Sequence, residues 1–174
     1  MVPGDVDELY EDGREHEEQR RLGEKVLDAT IRDLQPHPAA GVSASATIGE
    51  AIELMLARRI GALLVLGDDR LVGIFTERDV LQRVAGAGVD HARPVREVMT
   101  PDPEALGLDD GVAFALNRMV EHGYRHIPIR GEKPGEWAVL SVRDVVSYIA
   151  SLLPGRVLNL PPEPRLAARS MDGG

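Results

Sequence analysis

The chain of 174 residues has room for one ordinary domain or for two small units that share a core. Its residues are 43% hydrophobic, 28% charged and only 3% aromatic, which is typical of a soluble globular protein with an aliphatic core. The sequence has no cysteine, which excludes disulfides and thiolate metal sites. A formal net charge of −9 disfavours binding to duplex nucleic acid, and no apolar run approaches the roughly 20 residues of a membrane span.

The N-terminal segment, residues 1–26, is acidic and predicts a solvated helix with paired charges. Residues 1–25 contain nine acids and four bases. The segment has neither the basic start nor the apolar stretch of a signal peptide, so we expect a cytoplasmic protein without a membrane anchor.

Residues 27–86 predict a unit of alternating helices and strands. Thr47 and Glu50 form a capping box at the start of an amphipathic helix, which ends at Gly61. The stretch "ALLVL" predicts a buried strand, "GDDR" a turn, "LVGIF" a second strand, and "ERDVLQRV" a helix that "AGAG" terminates.

Residues 94–153 repeat this pattern after a linker at 87–93. The stretch "DDGVAFALNRMVEHG" predicts the first helix, "RHIPI" and "WAVL" two strands, and "VRDVVSYIASLL" the closing helix. The two copies align at a constant offset, which places Met55 on Met119, until the longer turn of the second copy shifts the alignment by one position. Each copy is too small to bury its own sheet well, so we expect the two to pack together. The Pro- and Gly-rich tail at 154–174 predicts a flexible end.

A polar pair recurs at both junctions between the second strand and the closing helix. Thr76 and Asp79 in the first copy align with Ser141 and Asp144 in the second. The simplest interpretation is a helix capping box in each copy. Alternatively, the aspartate holds two ribose hydroxyls, the helix start binds a phosphate, and Arg78 and Arg143 screen its charge.

The whole pattern, over about residues 27–152, resembles a tandem pair of CBS domains, the unit called a Bateman module. The family motif is met in full by Gly73, Ile74, Thr76 and Asp79, whereas Ala138 replaces the usual glycine in the second copy. The resemblance implies a mixed α/β (α+β) fold with two repeats, each a small sheet with two helices, related by a pseudo-two-fold axis. It also implies two clefts between the repeats that bind adenine nucleotides or related adenosyl ligands.

The resemblance also assigns residues to the clefts. Each cleft takes its ribose-binding aspartate from one repeat and part of its adenine wall from the other. For the Asp79 cleft, the residues that it implies are Ile74, Thr100, Ala105, Tyr124 and Arg125, with His126 either a phosphate contact or an ordinary strand residue. For the Asp144 cleft it implies Pro36, Gly41, Ile60 and Gly61. This second wall has no cation, so we expect the Asp79 cleft to be the one that is occupied.

The sequence shows no catalytic constellation and no metal site. His122 and His126 are separated by Gly123 and a strand start, so they do not share one helix face. The absence of these patterns disfavours an enzyme. The resemblance implies a regulatory, energy-sensing module that binds AMP, ADP, ATP or S-adenosylmethionine and signals to a regulated protein. The alternative is an assembly module without a ligand.

Apolar stripes on the closing helices predict a homodimer. The predicted contact residues are Val80, Leu81 and Val84 in the first repeat and Val145, Val146, Ile149, Leu152 and Leu153 in the second.

Overall fold

The computed structural model describes residues 20–68 and 70–153. Residues 1–19 of the acidic segment and the whole tail at 154–174 lie outside this range, and the predictions made for them stay predictions. Residues 20–28 form a helix, α1. No helix within the described ranges is long and apolar enough to cross a membrane.

The secondary structure follows the predicted repeat. The first copy contains β1 (His37–Pro38), β2 (Gly41–Ser43), α2 (Ile48–Arg58), β3 (Ala62–Gly67), β4 (Arg70–Thr76) and α3 (Glu77–Asp79), which continues as a π-helix at Val80–Ala85. The second copy contains β5 (Thr100–Pro101), β6 (Leu106–Gly107), α4 (Val112–His122), β7 (His126–Arg130), β8 (Trp137–Ser141) and α5 (Val142–Ser151). Short 3-10 helices at Ile31–Leu34 and Val95–Glu97 precede β1 and β5. The predicted long helices and strands are confirmed, whereas the two-residue strands and the π-helix carry no signal that the sequence analysis used.

The helix starts follow the capping chemistry in the sequence. Thr47 Oγ1 accepts a hydrogen bond from Glu50 N at 3.1 Å, and the Glu50 carboxylate accepts one from Thr47 N at 2.8 Å. This capping box at α2 is the one that the sequence predicts. The helix ends as the sequence indicates in α4, where Gly123 adopts a left-handed conformation with φ of 67°.

The two four-stranded sheets exchange their first strands between the repeats. One sheet has the order β2-β3-β4-β5 and the other β1-β8-β7-β6. Strand β5 of the second copy pairs antiparallel with β4, and β1 of the first copy pairs antiparallel with β8. Each sheet is therefore completed by the opposite repeat.

The exchange includes the segments around these strands. Ile31 N donates to Asp110 O at 2.9 Å, and Ile31 is fully buried in the core of the second repeat. In the same way Val95 N donates to Ala46 O at 2.8 Å, and Val95 is buried in the core of the first repeat. Neither sequence copy builds its half of the fold alone.

A small apolar cluster joins the two sheets. Ala62, Leu64 and Ile74 of the first sheet are buried and pack against partly buried Trp137 and Val139 of β8. Successive side chains of β3 point to opposite faces of the sheet, so Leu63 and Val65 pack in the core of the first repeat instead. The sheet-to-sheet contact fixes the distance between the edges at which the clefts open.

The motif glycine is required by packing against Met99. A Cβ atom built on Gly73 would lie 2.2 Å from Met99 Sδ. Ala138 occupies the equivalent place in β8, since Gly73 pairs with Pro101 and Ala138 with Pro38. In the sequence, the residue two before Pro38 is Pro36, whereas the residue two before Pro101 is Met99. Alanine therefore replaces glycine in the repeat that lacks the methionine.

We predict that Gly73→Ala destabilises the fold by about 1–3 kcal/mol, because the added methyl forces Met99 out of its position. The midpoint of urea denaturation measures the change. Gly107→Ala is the matched control, since its Cβ would meet only Asp110 Oδ2 at 3.7 Å, and it should cause no loss. In a Met99→Ala background the Gly73→Ala cost should largely disappear; an undiminished cost there would contradict the Met99 explanation.

Candidate functional site

Asp79 lies at the start of the closing helix of the first repeat and uses its two carboxylate oxygens differently. Asp79 Oδ2 accepts hydrogen bonds from Thr76 N at 2.9 Å and Thr76 Oγ1 at 2.7 Å, which completes a capping box. Asp79 Oδ1 accepts from Thr100 Oγ1 at 3.4 Å across the exchanged strand β5. The residue is only 6% exposed. The capping interpretation is confirmed for this pair, and the cap uses only one of the two carboxylate oxygens.

Arg83, one turn later, holds the same oxygen. Its Nη1 lies 3.3 Å from Asp79 Oδ1 and also donates to the carbonyls of Val98 at 3.1 Å and Met99 at 2.5 Å. Arg83 therefore links the capping carboxylate to the segment that enters β5. Sequence analysis did not select it, because its counterpart in the second copy is Tyr148, which packs against the core of the second repeat.

A cavity of about 410 Å³ opens beside Asp79, between the two repeats. Both repeats contribute residues to it, as the resemblance implies. Eight of the predicted residues line it: Ile74, Thr76, Arg78, Asp79, Thr100, Tyr124, Arg125 and His126.

Ala105 lies elsewhere. It lines a neighbouring cavity that shares Asp102 and Pro103 with the Asp79 cavity, and its carbonyl accepts a hydrogen bond from Arg130 Nη2 at 2.9 Å. Thr100 and Ala105, which were predicted to form one wall, therefore line two different cavities.

The second repeat has an equivalent cavity of about 730 Å³ beside Asp144. Asp144 Oδ2 accepts from Ser141 N at 2.8 Å and Ser141 Oγ at 2.7 Å, so this pair is also a capping box. Within the described part of the chain, Asp144 Oδ1 has no hydrogen-bond partner, in contrast to Asp79 Oδ1.

The wall of the Asp144 cavity differs from the one predicted. Ile60 and Gly61 line it, but Pro36 and Gly41 line an adjacent cavity that shares Pro38 with it. Ala138 also lies in that adjacent cavity, so its methyl group does not crowd the Asp144 cavity.

The wall that the resemblance implies for the Asp144 cleft has no cation, but the observed cavity has arginines in addition to the predicted Arg143. Arg59, Arg125 and Arg143 line its cavity, together with His37. Arg59 has a left-handed backbone with φ of 54° at the end of α2, which places it at the cleft rather than in a continuing helix. The basis for ranking the Asp79 cleft above the Asp144 cleft is therefore removed.

His126 stands between the two cavities and is half-buried. Burial lowers its pKa below the ordinary value of 6.5, and the positive charge of Arg125 acts in the same direction, while Glu77 and Asp144 oppose the shift. The imidazole is therefore neutral near pH 7 in the ligand-free protein.

Side chains that could hold a metal ion do not gather at these cavities in the described part of the chain. Over residues 20–68 and 70–153, no group of three or more His, Cys, Asp or Glu side chains is placed to hold an ion.

The CBS domain model matches residues 31–86 and 95–151. The chain belongs to the CBS-domain family. Its two CBS domains correspond to the two repeats described above.

Curated relatives are similar over the CBS pair. The chain is 34% identical over 105 residues to an uncharacterized 17.7 kDa protein of Acidianus ambivalens, covering 60% of this chain and 63% of that one. It is 35% identical over 109 residues to the Arabidopsis thaliana protein CBSCBSPB5, covering 62% of this chain but 20% of the plant protein. The matched region is thus less than two thirds of each of these relatives.

Solved structures share the fold. A CBS-domain protein from Burkholderia ambifaria is 28% identical, with a TM-score of 0.65, and the match covers 71% of this chain and 95% of that one. The CBS domain protein PAE2072 from Pyrobaculum aerophilum, solved in complex with AMP, is 26% identical, with a TM-score of 0.61, covering 71% and 99%.

We predict that His126 makes the protein less stable in mild acid. Because its pKa is lowered by folding, the unfolded chain takes up a proton at higher pH than the folded chain does. The free energy of unfolding should therefore fall as pH drops below 6.5, and His126→Gln should reduce this fall. Urea denaturation of both proteins between about pH 5 and about pH 8 measures the difference, which isolates the contribution of His126. Identical pH profiles would contradict the prediction.

Proposed function

We propose that this CBS pair is a regulatory module that binds an adenine nucleotide in its inter-repeat clefts. The observation that carries the proposal is that each capping aspartate uses only one carboxylate oxygen for its cap. In both Asp79 and Asp144 the cap uses only Oδ2. Asp144 Oδ1 has no hydrogen-bond partner within the described residues, whereas Asp79 Oδ1 accepts from Thr100 Oγ1 at 3.4 Å and lies 3.3 Å from Arg83 Nη1. Both aspartates line a cavity. A carboxylate oxygen fixed by its own helix is a well-ordered acceptor for ribose hydroxyl groups.

The charge around the cavities supports a phosphorylated ligand. Arg78, Arg83 and Arg125 line the Asp79 cavity, and Arg59, Arg125 and Arg143 line the Asp144 cavity. Guanidinium groups form bidentate hydrogen bonds with phosphate. Carboxylates also line the cavities: Glu77, Asp79, Asp102 and Glu104 in the first, and Glu77 and Asp144 in the second. The arginines therefore support a phosphate through direct contacts rather than through a net positive charge of the Asp79 cavity.

The apolar side of the Asp79 cavity suits a base. Ile74 is buried between the sheets, and Thr100 pairs with it in the β4–β5 ladder. Both residues line the cavity, where Ile74 offers an apolar contact and Thr100 a hydroxyl group to an adenine ring. PAE2072, which was solved with AMP, has the same fold, and this supports an AMP-like ligand here.

Ligand binding in the clefts would be signalled to a regulated protein. Binding in a cleft between repeats favours one relative arrangement of the two sheets over another, which a partner can detect. In this role the module acts as a sensor rather than an enzyme. A cytoplasmic location is part of the same proposal.

We predict that wild-type protein binds AMP and that Asp79→Asn and Asp144→Asn each weaken one cleft. Replacement of a charge-assisted acceptor costs about 1.5–3 kcal/mol, which corresponds to a roughly tenfold to 150-fold weaker complex. Isothermal titration with AMP, ADP, ATP and S-adenosylmethionine measures the affinities and ranks the ligands.

Absence of binding by the wild type to every adenosyl compound would leave the assembly-module alternative. Equal affinities in the wild type and both variants would mean that the carboxylates only cap their helices.

We also propose a homodimer built from the closing helices. Leu81 and Val146 are 69% and 58% exposed and occupy equivalent positions in the two repeats. Two of the predicted contact residues, Val84 and Val145, are instead buried in the cores, because they lie on the inner helix faces. Val80 and Ile149 also pack partly against these cores, and Leu152 and Leu153 are half-buried.

We predict a dimer mass by light scattering at micromolar concentration, and a monomer mass for Leu81→Glu/Val146→Glu, because two charges on each apolar surface oppose its burial. Phe114→Glu, on α4, is the control and should stay dimeric. A monomeric wild type would refute this proposal.

A further inference from the structure

Four residues line both cavities and form what we call the shared wall. They are Gly61, Glu77, Arg125 and His126, two from each repeat. A ligand in either cleft would therefore touch the same side chains from opposite sides.

Equivalent backbone positions of the two repeats supply the shared wall. Glu77 N donates to Gly61 O at 3.1 Å within the first repeat, and Val142 N donates to Arg125 O at 3.0 Å within the second. These two hydrogen bonds occupy equivalent positions, because Gly61 aligns with Arg125 and Glu77 with Val142.

The wall is thin at Gly61. A Cβ atom on this glycine would lie 3.2 Å from Glu77 Oε2 and 3.2 Å from His126 Cε1. The carboxylate and the imidazole thus approach the same point, and the backbone at Gly61 has no side chain to separate the cavities.

The charges of the wall occur once rather than twice. The counterpart of Arg125 in the first repeat is Gly61, that of His126 is Ala62, and the counterpart of Glu77 in the second repeat is Val142. The two clefts therefore share a single guanidinium at this wall. Other arginines belong to one cavity only: Arg78 and Arg83 to the Asp79 cavity, and Arg59 and Arg143 to the Asp144 cavity.

We infer that the shared wall couples the two clefts negatively for phosphorylated ligands. The inference rests on the proposed nucleotide-binding function. A phosphate in one cleft takes hydrogen bonds from Arg125, and its negative charge, with that of Glu77, repels a second phosphate across the wall. Unphosphorylated adenosine uses only the aspartate and the apolar wall of each cleft, so its two binding events are independent.

The coupling is measured by isothermal titration of wild type, Asp79→Asn and Asp144→Asn with AMP and with adenosine. Each variant gives the dissociation constant of the cleft that it leaves intact. For AMP, the product of the two wild-type constants should exceed the product of the single-cleft constants about fivefold or more, whereas for adenosine the two products should agree. Binding of one AMP by the wild type and one by each variant would be the limiting case of the same coupling.

A second comparison identifies the coupling residue by adding one substitution to each aspartate variant. Arg125→Gln should weaken AMP binding by the intact cleft of both Asp79→Asn and Asp144→Asn, because either cleft, when it is filled alone, uses this guanidinium. The matched controls Arg78→Gln and Arg143→Gln, which remove arginines that are exposed like Arg125, should each weaken the intact cleft of one variant only.

Agreement of the AMP products, or an effect of Arg125→Gln on the intact cleft of one aspartate variant alone, would overturn the inference and leave nucleotide binding intact. A wild type that binds neither AMP nor adenosine would instead overturn the proposed function, and the coupling with it.

Discussion

The exchange of opening segments between the two repeats is the constraint on which the rest of the structure depends. Strand β1 completes the sheet of the second repeat, and β5 completes that of the first. Ile31 and Val95, just ahead of these strands, are buried in the core of the opposite repeat. Separating the repeats would expose both cores and leave one sheet edge unpaired on each side, so the two copies fold as one unit.

The same exchange creates the clefts. It brings Thr100 within 3.4 Å of Asp79, although the two residues belong to different copies. It also places His37, the counterpart of Thr100, in the Asp144 cavity. One side of each cleft therefore contains the aspartate that caps a closing helix, and another side contains a strand of the opposite repeat. A ligand there would contact both repeats. This is why binding can report on the arrangement of the repeats.

Backbone pseudo-symmetry and side-chain asymmetry have different consequences. The capping boxes, strand pairings and helix positions are repeated, so each repeat has a cavity beside its capping aspartate, although the two cavities differ in volume, about 410 and 730 Å³. Arg83 and Tyr148 differ at one equivalent position, and Arg125 and Gly61 at another. As a result Asp79 is paired with a cation while Asp144 Oδ1 is left without a hydrogen bond, within the described residues, and one wall charge faces two cavities.

The sequence by itself determined the repeat, the main helices and strands, both capping boxes and the pair of aspartates, because these follow from local periodicity and from contacts between residues close together in the chain. It also indicated most of the Asp79 cavity through resemblance to a family. Only the tertiary structure decided that Gly73 makes room for Met99, that Arg83 holds Asp79, that Arg59 enters the Asp144 cavity, and that Ala105, Pro36 and Gly41 lie in neighbouring cavities. Some of these features depend on two-residue strands and on the π-helix that contains Arg83, which are too short to give a periodic signal in the sequence. The others depend on packing between segments that are distant in the chain, such as β1 and β8.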